Sequence, residues 1–193
     1  MSLKGRRALC AFLAMLAFGA SATDRASQSG ASAQDAALRR LFAHILPDSQ
    51  GKPASLATWR GQMLVVNFWA TWCVPCREEL PAFSRVQAKF QGLGVQFVGI
   101  ALDSADKVRQ FSRKYPVVFP LLIDAQQDLM TLMADLGNPF MGLPFTLLID
   151  RQGRIVARKP GRLPERELLQ WMAPLSREQD KTAKAGKNGK SRP

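Results

Sequence analysis

Cys73 and Cys76 stand three residues apart in Trp72-Cys73-Val74-Pro75-Cys76, directly after the apolar run Met63 to Trp69 and ahead of a helical pattern. Two cysteines at that spacing on a first helical turn can close a short disulfide. The first of them lies where unpaired backbone N–H groups and the helix dipole favour a thiolate. Thiolate attack on a partner sulfur is the elementary step of disulfide exchange, so the pair reads as an electron-exchange site. Cys73 is then the candidate nucleophile. Cys76, one turn further in, is the candidate resolving thiol. Two other uses of such a pair are weaker. A structural disulfide closing so small a loop gains little chain entropy. A zinc site needs about four ligands, and His44 is the single histidine of the chain. Copper(I), which two thiolates can hold, stays open.

The elements around the pair follow from hydrophobic patterning. An almost unbroken apolar run such as Met63 to Trp69 describes a strand covered on both faces. Leu80, Phe83, Val86 and Phe90 recur at helical spacing and predict a helix from Cys73 to about Gln91, kinked at Pro81 and closed by Gly92 and Gly94. Further strands are predicted at Val95 to Leu102 and Pro120 to Ile123, and helices at Asp103 to Tyr115 and Gln126 to Leu136. Phe145 to Asp150 and Arg154 to Lys159 form a hairpin about Arg151-Gln152-Gly153, and Pro164 to Met172 a closing helix. Strands alternate with helices and end in an antiparallel pair, which is an α/β sandwich with a mixed sheet.

The ends of the chain have a different composition. Lys4, Arg6 and Arg7 precede an apolar run from Ala8 to Ala20, and Ala20-Ser21-Ala22 has the small-x-small form of a signal-peptidase site. Residues 1–22 therefore read as a signal peptide, and the run is short for a retained membrane anchor. Cys10 would leave with it. Residues 23–44 read as a linker, Thr23 to Gln34, followed by a short helix through Leu38, Leu41 and Phe42. Residues 45–175 form the folded domain. Of the formal net charge of +12, the segment 176–193 carries a disproportionate share through Lys181, Lys184, Lys187, Lys190 and Arg192, without apolar periodicity. It is expected to be a disordered basic tail, solubilising or in weak contact with an anionic membrane surface. Nucleic acid is not an expected partner, because the core has no basic stripe with interleaved aromatics.

At Trp72 to Pro81 the chain resembles the thioredoxin superfamily, and in particular its exported TlpA/ResA-type thiol-disulfide oxidoreductases. Leu46-Pro47-Asp48 with Gly51-Lys52 and Ser55-Leu56 resembles that family's entry hairpin, and Gly142-Leu143-Pro144-Phe145-Thr146 its cis-proline loop. Asp103 to Leu136 falls where the family carries a central insertion. The resemblance implies a thioredoxin-like sandwich, a periplasmic location and a Cys73/Cys76 dithiol that reduces client disulfides in cytochrome c or copper-site biogenesis. Its electron donor would be a membrane thiol-disulfide transporter of the DsbD/CcdA kind. No cofactor and no resident metal are implied. A disulfide-donating oxidase, or a copper(I)-handling or client-docking module without turnover, are the competing readings. A peroxiredoxin fits poorly, because Thr71 precedes Cys73 by two residues rather than three.

The same resemblance assigns further residues. Thioredoxin has a buried aspartate where this chain has Asn67, which cannot titrate, so another acid must take the proton of the inner cysteine. Glu79, one turn beyond Cys76 on the same helical face, matches the acidic residue of the ResA-like branch. Pro144 is expected to be cis, with Leu143 offering its backbone to an incoming peptide and Trp72 covering the disulfide rim. Met130 and Met133 at helical spacing read as core rather than as a copper-binding set with Met141.

Overall fold

The computed structural model describes residues 22–175, with side chains from residue 33 onward. The signal-peptide and basic-tail readings, residues 1–21 and 176–193, lie outside the described residues.

The chain opens with helix α1, Ala22–Ala43. The expected linker over Thr23 to Gln34 is thus helical. Alanine, the strongest helix former, recurs through the segment, and the apolar face of the C-terminal half (Ala37, Leu38, Leu41, Phe42) is buried, so helix propagates back from an anchored end. Strands β1 (Leu46–Pro47) and β2 (Pro53–Ala54) make a short antiparallel hairpin, followed by a 3₁₀ turn at Leu56–Trp59.

The main sheet has five strands. They are β3 (Met63–Trp69), β4 (Val95–Ala101), β5 (Leu121–Ile123), β6 (Phe145–Ile149) and β7 (Ile155–Pro160). Their spatial order is β5-β4-β3-β6-β7, with β3, β4 and β5 parallel and β6 and β7 antiparallel to their neighbours. Helix α2 (Val74–Phe90) follows β3, α3 (Ala105–Lys114) follows β4, α4 (Met130–Asp135) follows β5, and α5 covers 165–175.

Two apolar clusters, one on each face, account for the unbroken apolar character of β3. Val65 and Trp69 face α2, α3 and α5, packing with Leu80, Phe83, Phe111, Leu168 and Met172. Leu64, Val66 and Phe68 face α1 and α4, packing with Leu41, Phe42, Leu132 and Met133. Met133 is fully buried and Met130 packs against the same cluster, as expected of core methionines.

Helix α2 runs through Pro81 as one segment and passes at Gln91–Leu93 into a 3₁₀ turn, closed by Gly94 at φ 71°. Helix α4 is shorter than the periodicity over Gln126 to Leu136 predicts. The Asp124 carboxylate accepts the N–H groups of Asp128 (3.0 Å) and Leu129 (2.9 Å), and Gln127 takes φ 60°, so the leading residues form a capped turn instead of helix.

Strand β5 is short and pairs with β4 only over Gly99 to Ala101. Ahead of it, the outer edge of β4 is completed by a side chain. Gln87 of α2 accepts the N–H of Phe97 (2.6 Å) and donates to the carbonyl of Val95 (3.3 Å), standing in for the missing strand.

Candidate active site

The ends of β3 and β6 bring the reactive segments together. The last registered pair between these strands is Phe68 with Phe145. One strand then continues through Trp69 into the cysteine motif, and the other arrives from Leu143 and Pro144. Both segments therefore sit at one end of the sheet. The Leu143–Pro144 peptide bond is cis. Pro144 is buried and Leu143 half-buried, packed against the cluster that includes both cysteines.

Cys73 and Cys76 form a disulfide with their Cα atoms 5.3 Å apart. Cys73 is the N-cap of α2 with extended backbone, Pro75 occupies the first turn, and the Cys76 N–H donates to Cys73 Sγ at 3.3 Å. A sulfur in that position faces the donor end of the helix, which stabilises negative charge on it. The two sulfurs differ in access, since Cys73 retains 5% of its surface and Cys76 none. Cys73 is the one a partner can reach.

Two tryptophans bracket the pair differently. Trp72 is exposed beside Cys73. Trp69 is fully buried beneath, 5.0 Å from the Phe111 ring, and rests on Gly99, where a Cβ would stand 3.0 Å from its Nε1. The connection from β3 into the motif is fixed by Asp103, which accepts from both the N–H and the hydroxyl of Thr71. Burial alone would raise the Asp103 carboxyl. The Thr71 hydroxyl, the Ser104 and Thr71 N–H groups and nearby Lys107 outweigh it and hold the group below its ordinary range.

One helical turn beyond Cys76, Glu79 joins a buried polar network. Asn67, on β3 between Val65 and Trp69, faces α2 by strand alternation. Its Nδ2 donates to Glu79 Oε1 at 2.8 Å and to Thr146 Oγ1 at 3.0 Å, Thr146 being its registered neighbour on β6. Glu79 Oε2 accepts the N–H of Leu163 at 2.8 Å. Only 2% of Glu79 is exposed. Burial pushes its carboxyl up to about 7, against the opposing pull of the Leu163 N–H, the Asn67 amide and the charge of Arg162. A solvated role for Glu79 is thereby excluded. Glu78 beside it is half exposed and pairs with Arg162 at 3.6 Å.

The structure also contains features that residue spacing does not signal. Phe140 is 90% exposed on the loop before the cis-proline. That loop is firmly built: buried Asn138 donates to the Gly142 carbonyl at 2.8 Å, the Met141 N–H donates to the Asn138 carbonyl at 2.9 Å, and Met141 takes φ 50°. Val74, Arg77, Glu78 and Tyr115 line a concavity of about 260 Å³. Asn-Pro-Phe-Met-Gly at 138–142 reads as a turn; nothing in its spacing says that the aromatic points outward. Among the described residues, His44, Asp124 and Asp128 are the one cluster with metal-ligating spacing, and it does not include the cysteines.

A disulfide-forming cysteine pair at the start of a helix, set against a proline loop at the end of a mixed sheet, defines the chain as a thioredoxin-like thiol-disulfide oxidoreductase. It belongs to the AhpC/TSA family, whose model matches residues 30–158. Several of its relatives are named thiol-disulfide oxidoreductases. The thiol-disulfide oxidoreductase ResA of Bacillus subtilis is 33% identical over 129 residues, covering 66% of this chain and 69% of ResA. The thioredoxin-like protein YneN of the same organism is 33% identical over 147 residues, covering 74% of this chain and 78% of its own. Among solved structures, a secreted Mycobacterium tuberculosis disulfide oxidoreductase homologous to E. coli DsbE superposes with TM-score 0.59 at 27% identity, over 70% of this chain and 98% of that one. A thioredoxin-family thiol:disulfide interchange protein from Chlorobium tepidum does so with TM-score 0.55 at 27% identity, over 65% and 87%.

Proposed function

We propose that this chain is an exported reductant of protein disulfides, with Glu79 as the group that takes the proton of its inner cysteine. The observation that carries the reading is the placement of a buried carboxyl, titrating near neutrality, one helical turn from a buried thiol. In the reduced protein the Cys73 thiolate attacks one sulfur of a client disulfide. A mixed disulfide forms and one client thiolate leaves. Cys76 then gives its proton to ionised Glu79 and attacks Cys73 Sγ, which releases the second client thiolate and closes the Cys73–Cys76 bond. Two electrons from a membrane thiol-disulfide transporter of the DsbD/CcdA kind restore the dithiol.

Trp72, Leu143 and Pro144 form the docking surface in this reading. Leu143 offers its backbone to an extended client segment while the client cysteine meets Cys73. The clients are cytochrome c or copper-site assembly proteins, as the resemblance at Trp72 to Pro81 implies. Residues 1–22 direct export to the periplasm and are removed, and the basic tail makes weak contact with the membrane surface. The secreted M. tuberculosis relative supports that location.

The test is the reduction potential, read from tryptophan fluorescence in glutathione and dithiothreitol buffers. A value near or below the ~−270 mV of thioredoxin is expected of a reductant. A value near the ~−120 mV of a strong oxidant would make the protein a disulfide donor and reverse the direction of electron flow.

A further inference from the structure

We propose that Asn67 is a positioning residue that sets the proton affinity of Glu79 and so decides the pH at which Cys76 is released to resolve the mixed disulfide. The inference rests on the role given to Glu79 above and deepens it.

Its starting point is an imperfection. Asn67 is 1% exposed, and its Oδ1 has no hydrogen-bond partner among the described residues. Val65 and Trp69 share its face of β3 and are both apolar, so an aliphatic residue of similar size would suit the site better by packing alone. An amide that keeps an unpaired buried acceptor must have its use at the other end. There Nδ2 donates to Glu79 Oε1 and is held in line by Thr146 Oγ1, across the β3–β6 register. The donor cannot follow Glu79 away, because both its anchors lie in the sheet.

The consequence is electrostatic. A fixed N–H donor favours the ionised carboxylate over the neutral acid, against the burial that disfavours it. The other groups around Glu79 are few. Leu163 N–H donates to the second oxygen, and among the described residues Arg162 supplies the one nearby charge that acts on it, itself turned toward Glu78. From α2 comes Cys76, the proton's source. From α5, Glu165 is engaged by Arg85 and Glu167 by Lys159. Without Asn67, Glu79 would hold its proton at neutral pH and could not accept another from Cys76.

Asn67→Val tests this. The rate of mixed-disulfide resolution is followed by quenched flow from pH 5 to 10, in parallel with Glu79→Gln and with thermal melting. The expected result for Asn67→Val is resolution at pH 7 slowed about tenfold, with the limb displaced to higher pH and the rate recovering there. Its melting temperature should fall, because Glu79 Oε1 and Thr146 Oγ1 lose their shared donor. An unmoved limb in a folded variant overturns the proposal. The two readings fail separately: if Glu79→Gln leaves the limb in place, the relay itself is wrong, whereas a limb lost in Glu79→Gln but unmoved in Asn67→Val removes only the positioning role. Should Asn67→Val not fold, the unaltered oxidised protein answers. The Asn67 side-chain amide resonance is expected to titrate with the midpoint of the Glu79 carboxyl carbon, and an amide indifferent to that midpoint overturns the proposal.

Discussion

Glu79 Oε2 accepts the backbone N–H of Leu163 at 2.8 Å, tying the active-site helix to the segment that follows β7, 84 residues further along the chain. The bond fixes one oxygen of a carboxyl that is buried from water. It also makes the ionisation of one side chain a property of the whole domain.

The stability of the oxidised protein should therefore depend on pH in a definite direction. The Glu79 carboxyl titrates at about 7 in the folded chain against 4.5 in the reference state. Between those values the folded state binds more protons than the unfolded one, so stability falls as pH rises and is fully present only below about 4.5. The contribution of this group is at most about 3 kcal/mol. Denaturant titrations from pH 4 to 8 should show the decline in the parent protein and a flatter profile in Glu79→Gln.

The difference in access between the two sulfurs predicts different fates for the two single-cysteine variants. Cys76→Ser should form mixed disulfides with clients and hold them, visible as covalent complexes on non-reducing gels. Cys73→Ser should form none and lose reductase activity altogether, because the remaining thiol has no exposed surface.

Phe140 should matter for proteins and not for small molecules. Replacing it with Ser removes apolar surface that a client would cover, and KM for a protein disulfide is expected to rise about tenfold. Turnover of a small aromatic disulfide and the melting temperature should not change. Equal losses on both substrates would mean that the residue acts on the cysteines instead of on docking.

Gly99→Ala probes the floor under Trp69. A Cβ there would lie 2.7 Å from Leu121 Cδ2 and 3.0 Å from Trp69 Nε1, and both neighbours are packed. Destabilisation of about 1–3 kcal/mol is expected, with altered tryptophan emission. A variant as stable as the parent would show that β5 gives way easily.

Much of this is legible in the amino acids. Strand β3 and helix α2 declare themselves through patterning, since one is apolar on both faces and the other repeats every three or four residues. The resemblance at Trp72 to Pro81 identifies the dithiol and draws attention to Glu79. What the residues do not display is long-range. Nothing local to Glu79 says that it will be buried, because its partners Asn67 and Leu163, and Thr146 behind Asn67, lie far from it along the chain. Helix α1 is hidden for a different reason: Ser, Gln and Gly among its alanines imitate a linker, and only burial of its distal half shows otherwise. Phe140 is exposed because a buried asparagine shapes its loop, a tertiary effect without a sequence signature.

The glutamine that completes the edge of β4 also bears on how the protein behaves in company. A strand edge with free N–H and C=O groups is a template for another chain, and the stretch Val95 to Val98 is apolar enough to recruit one. Gln87 occupies that edge with a side chain that cannot be extended into a further strand. The domain thus carries a stopper against sheet growth within its catalytic helix, and solubility during refolding, when helix and sheet are briefly apart, depends on how soon α2 docks.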